Sequence, residues 1–147
     1  MHPARQHAHD SPRLIAAAAA LLFAAYGGAA WGQQEVKVTL SGSQEIPPVT
    51  TSASATGVIT VGADKSVRGS VTVSGISPSA AHIHEAPAGT NGPIIIPLVK
   101  TGDNVWSVAE GAKMSDAQFE SYKAGNLYYN VHSATYKGGE LRGQIKP

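Results

Sequence analysis

The sequence predicts an all-β domain, an antiparallel Greek-key β-sandwich of about eight strands with one short helix, preceded by a signal peptide. Three observations carry this reading. Apolar and polar residues alternate in short segments, as in Val36-Lys37-Val38-Thr39-Leu40 and Leu141-Arg142-Gly143-Gln144-Ile145. Turn-forming Gly, Pro, Asn and Asp separate these segments at short intervals. A single stretch, residues 115–125, carries clear helix start and stop signals.

The chain opens with a polar segment holding Arg5 and Arg13, then an apolar run from Leu14 to Tyr26, then mostly small residues from Gly27 to Gly32. That order is the pattern of a secretory signal peptide over residues 1–32, which leaves residues 33–147 as the folded domain. The apolar run is shorter than the roughly 20 residues a spanning helix needs. The expected location is therefore periplasmic or secreted, with no membrane span after cleavage. Residues 33–147 lose Arg5, Arg13 and Asp10, which leaves nine cations against nine anions. A neutral balance does not supply the basic face that nucleic acid requires. The chain has no cysteine, so thiolate metal sites, thiol nucleophiles and disulfides are excluded.

Taken in order, Val36 to Leu40 is a half-buried strand that stops at Ser41-Gly42. Gln44-Glu45-Ile46-Pro47-Pro48 is a rigid extended loop or edge, because its two prolines fix φ and remove two donors. Gly57–Val61 and Val67–Val73 are strands joined by a turn at Gly62-Ala63-Asp64-Lys65. Ala81-His82-Ile83-His84-Glu85 is the next strand, followed by a turn-rich loop through Asn91-Gly92-Pro93. Ile94-Ile95-Ile96-Pro97-Leu98-Val99 is apolar without alternation, so it is well buried or turns a corner, and Pro97 places it at an edge or bulge. Val105–Val108 is short and extended. Ser115 and Gln118 form a capping box for the helix, Met114 can staple onto Phe119, and Gly125 stands at the C-terminal glycine position. Leu127–His132 and Glu140–Lys146 complete the set as a hairpin, in which His132 faces Glu140, Asn130 faces Arg142 and Tyr128 faces Gln144.

Of the six histidines, His2, His7 and His9 precede residue 33, so the domain keeps His82, His84 and His132. Alternate strand residues share a face, so His82 and His84 point together and away from Ile83. Neutral imidazoles in this pattern suit copper, zinc or another divalent metal, with Glu85, Asn130, Glu140, Arg142 and Tyr128 available to orient the rings. The competing reading leaves the three rings on a sandwich face, hydrogen-bonded to Glu85, Glu140 and Ser133.

Three segments resemble the CHRD domain, a module of chordin and of many bacterial exported proteins. They are Leu40-Ser41-Gly42-Ser43-Gln44-Glu45-Ile46-Pro47-Pro48-Val49, Ala81-His82-Ile83-His84 through Asn91-Gly92-Pro93, and Gly125–His132 with Gly138–Ile145. This resemblance implies a β-sandwich and says little about activity. His82-Ile83-His84-Glu85 and Val131-His132 are also similar to copper-binding strands of copper–zinc superoxide dismutase. That likeness implies a mononuclear site at most, since the bridging histidine, the zinc loop and the disulfide cysteines have no counterparts. It leaves Arg142 as the one guanidinium to guide an anion, at a different spacing from His132.

These readings lead to an exported binding module with a copper site at His82, His84 and His132, and with a metal ion or a protein as partner. The alternatives are a copper-dependent oxidoreductase of superoxide-dismutase type, and a structural or adhesion domain without metal.

Overall fold

The structure, a computed structural model, describes residues 33–147. The segment read as a signal peptide, residues 1–32, lies outside the described residues. Eight strands and one α-helix follow in the order β1 (Glu35–Leu40), β2 (Ser54–Val61), β3 (Val67–Ser74), β4 (Pro78–Glu85), β5 (Ile94–Lys100), β6 (Val105–Val108), α1 (Asp116–Lys123), β7 (Leu127–Ser133) and β8 (Leu141–Ile145). The strands pair antiparallel in the spatial order β1-β2-β3-β6-β5-β4-β7-β8. Strands β4, β5 and β6 are consecutive neighbours, and β7 returns after a connection carrying α1 to lie beside β4. This is the Greek-key link the sequence predicts.

Two sheets share β5. Residues Ile94–Pro97 pair with β4, and Leu98–Lys100 pair with β6. The corner falls beside Pro97, where a residue without a backbone donor costs the ladder nothing. The other two edges meet at Ser41 and Arg142, whose backbones exchange hydrogen bonds of 3.0 and 3.1 Å. The sandwich is thereby closed nearly into a barrel. Gly143 permits the approach, because a Cβ there would lie 2.7 Å from both the Thr39 carbonyl oxygen and Val38 Cγ1.

Strand alternation fills the interior. Val36, Val38 and Leu40 of β1 face Ile59, Val71, Ile83, Tyr129, Val131 and Leu141 in one buried cluster. Tyr129 satisfies its hydroxyl by donating to the Val58 carbonyl at 2.9 Å. Two strands start earlier than the apolar pattern indicates: β2 begins at Ser54 and β4 at Pro78. Ser54–Thr56 is held by ladders to β3, with Ala55 and Thr56 also paired to β1, so tertiary pairing overrides its weak propensity.

Helix α1 carries the predicted capping box. Gln118 N–H donates to Ser115 Oγ at 3.1 Å, and Ser115 N–H donates to Gln118 Oε1 at 2.9 Å. Gly125 ends it with φ +76°. Met114 and Tyr122 are buried, and Phe119 packs against the same core. Among the described residues no helix is long and apolar enough to cross a membrane.

Substituting Gly143→Ala forces β1 and β8 apart. The expected loss is about 1–3 kcal/mol of stability, read as a lower urea midpoint, with no such loss in Gly138→Ala, where a Cβ meets nothing within 4 Å.

Candidate metal centre

The register of β4 against β7 assembles the site. His82 pairs with Asn130, His84 with Tyr128, and Ala80 with His132. Ala81, Ile83, Tyr129 and Val131 point into the core, so His82, His84, Tyr128, Asn130 and His132 share the opposite face. On β8, Asn130 pairs with Arg142 and Tyr128 with Gln144, as the alternation predicts.

That outer face is not open sheet. Two loops fold over it, residues 86–93 after β4 and residues 134–140 after β7. Tyr128, Asn130 and His84 are buried beneath them, while His82 and His132 are half-buried. The three histidines each offer one nitrogen within 4.8 Å of the others. A metal about 2 Å from each nitrogen needs them no more than about 4 Å apart. His82 Nδ1 and His132 Nε2 already lie 3.0 Å apart, so the remaining closure, under about an ångström, belongs to His84.

Two backbone carbonyls set the tautomers. His84 Nδ1–H donates to Gly92 O and His132 Nδ1–H donates to Lys137 O, each at 2.9 Å. Both Nε2 atoms are left as lone-pair donors for a ligand. His132 Nε2 accepts from His82 Nδ1–H. His84 Nε2 is buried with no hydrogen-bond partner. The tautomers leave His84 Nε2 and His132 Nε2 with lone pairs, while His82 Nδ1 carries the proton of the His82–His132 bond.

Burial disfavours the charged form of these rings. His82 is pushed down to about 4, first by desolvation and then by the neighbouring His132 and His84. The His84 ring is also lowered, mainly by burial, against a raising contribution from Gly92 O. The His82 and His84 rings are thus neutral at neutral pH, and His82 Nδ1 becomes a ligand atom only when its proton moves to Nε2.

The residues expected to orient the rings act elsewhere, and no histidine bonds to Glu85, Glu140 or Ser133. Glu85 accepts from Ser121 Oγ at 2.5 Å, fastening α1 to β4. Glu140 is 3% exposed and accepts from Thr51 Oγ1 at 2.6 Å and Ser133 Oγ at 2.5 Å. It thereby braces the loop that presents Lys137 O. Asn130 donates to Glu45 Oε1 at 2.5 Å and to Leu141 O at 3.2 Å. Arg142 is 1% exposed, with its donors used on neighbouring oxygens, so it is not placed to attract an anion. Sequence reasoning missed Gly92 and Lys137, because each acts through its carbonyl rather than its side chain. The signal for Gly92 was the Asn91-Gly92-Pro93 turn: a Cβ on Gly92 would fall 1.9 Å from the Glu85 carbonyl oxygen.

Fold and site together define a small antiparallel β-sandwich with a roofed histidine cluster. A family model described as the CHRD domain matches residues 36–145, and the chain belongs to that family. Comparison with curated proteins and with solved structures found no match.

The His82 shift makes the metal-free domain acid-sensitive. Unfolded His82 takes up its proton near 6.5 and folded His82 only near 4, so the unfolded state binds more protons between these values. Stability present above pH 6.5 is lost as pH falls toward 4. Glu45, raised by burial, has the opposite slope: its contribution falls as pH rises through its folded value. The comparison of wild type with His82→Asn cancels that background. The wild type should lose urea midpoint more steeply over this window, and parallel curves would refute the assignment.

Proposed function

We propose that this domain is an exported binding module that holds one copper ion at His82, His84 and His132. The observation that carries the reading is the convergence of three imidazole nitrogens within 4.8 Å, two of them selected by backbone carbonyls. The donor set supports copper. It is all imidazole, with no thiolate in the chain, and first-row affinities for such ligands peak at Cu(II). Zinc or another divalent ion fits the same geometry with lower affinity.

The protein ligands fill three positions and leave a fourth for water or an exchanging ligand. Turnover would profit from a cation beside that position. The nearest guanidinium, Arg142, is buried and engaged, so the site supports holding or carrying a metal over superoxide chemistry. The CHRD membership agrees with a binding module and with export.

Titration of residues 33–147 with Cu(II) should reach one equivalent, with nitrogen hyperfine structure in the electron paramagnetic resonance spectrum. A His82→Ala/His84→Ala variant should lose that uptake. Equal copper uptake by both proteins would remove the cluster as the site.

A further inference from the structure

The loop over the histidines has little to hold it. Residues 87–91 are exposed, include Ala88 and Gly89, and make a single internal backbone bond, from Thr90 N–H to Pro87 O at 3.2 Å. Asn91 Nδ2 ties it at one end to Ile46 O at 2.9 Å, and Arg142 fastens it from below. Its guanidinium donates to Thr90 O at 2.9 Å, Pro87 O at 3.2 Å and Asn91 Oδ1 at 3.2 Å, and to Gln144 Oε1 at 3.3 Å. The same group lies 3.6 Å from the Tyr128 ring centroid. Tyr128, on the strand between β8 and β4, stacks in turn on His84, at 4.9 Å between centroids and 17° between planes. The next loop residue, Gly92, donates its N–H to the Tyr128 hydroxyl at 3.1 Å and offers its carbonyl to His84 Nδ1 at 2.9 Å.

All four acceptors of Arg142 are formally neutral oxygens, and among the described residues it makes no ion pair. Burying a cation this way is costly. The arrangement uses the planar fork of arginine to reach several oxygens at once while lying flat on an aromatic face, which a lysine ammonium does not reproduce.

We propose that Arg142 is the positioning residue of the histidine site: it fastens residues 87–91 onto Tyr128 and so fixes the Gly92 carbonyl that dictates which nitrogen of His84 is free. The inference rests on the metal-site reading for its purpose, but its immediate consequence, the tautomer of His84, exists without metal.

The test follows the ring nitrogens of His84 by long-range proton–nitrogen correlation spectra of the metal-free domain, in wild type, Arg142→Lys and Asn91→Ala. The wild type should show one tautomer, protonated at Nδ1. Both variants should show mixed tautomers, and their zinc affinity should fall by about 10–100-fold. Asn91 is an exposed side chain that bonds both Arg142 and Ile46 O, so its variant tests the fastening of the loop beside Gly92 if Arg142→Lys does not fold. Unchanged tautomer and unchanged zinc affinity in a folded variant, with only a lower melting temperature, would overturn the proposal. A wild type that binds neither zinc nor copper would refute the metal reading while the tautomer comparison still decides the role of Arg142.

Discussion

The register between β4 and β7 is the constraint on which the rest depends. It places Ile83 opposite Tyr129 and Ala81 opposite Val131, all four in the core. A strand has period two, so the same register sends every histidine to the other face. A slip of β4 by one residue would bury His82 and His84 and turn Ala81 and Ile83 out of the core. The hydrophobic core and the histidine cluster are thus two readings of one pairing, and selection for the first fixes the second.

The outer face then has its own requirement. Once loops cover it, every polar atom beneath them needs a partner. The structure meets this with two similar arrangements. One loop presents Lys137 O to His132 and is braced by Glu140 through Ser133. The other presents Gly92 O to His84 and is braced by Arg142. Each imidazole is oriented by a carbonyl, and each carbonyl's loop by a buried charged side chain. The charges stay one layer away from the rings, so no carboxylate pulls an imidazole toward its protonated form.

Much of this was legible in the residues. Alternation revealed the strands and their inner faces, the hairpin register put Asn130 opposite Arg142, and the unalternating run of β5 allowed for its corner, although Pro97 does not make it an edge, since β5 pairs with both β4 and β6. Spacing also put the three histidines on one face. The roof was not legible. Residues 86–93 and 134–140 look like ordinary turns, because their contribution is the direction of two carbonyl groups, and residue type does not encode that. For the same reason Glu85, Asn130, Glu140 and Arg142, polar groups on or beside the histidine strands, look like direct partners of the rings. Their side chains bond instead to α1, Glu45, Thr51 and the loop 87–91.

One atom distinguishes this arrangement from a merely satisfied polar layer. His84 Nε2 is buried without a partner, while His84 Nδ1 is committed to Gly92. An unsatisfied buried acceptor costs about 1–3 kcal/mol, and reversing the ring would only transfer the deficit to the carbonyl. A core built for stability alone would remove it with one apolar residue at position 84. The surroundings do the opposite: they stack His84 on Tyr128 and lock its other nitrogen, with the His82 and His132 rings 5.6 and 6.3 Å away between centroids. A cation taking the His84 and His132 Nε2 lone pairs and, once the His82 proton has moved to its Nε2, the His82 Nδ1 lone pair would satisfy His84 Nε2 and replace the single His82–His132 hydrogen bond. The unpartnered nitrogen is therefore the observation on which the metal reading leans, because, unlike the equally unpartnered Trp106 Nε1, it belongs to a cluster of three imidazoles.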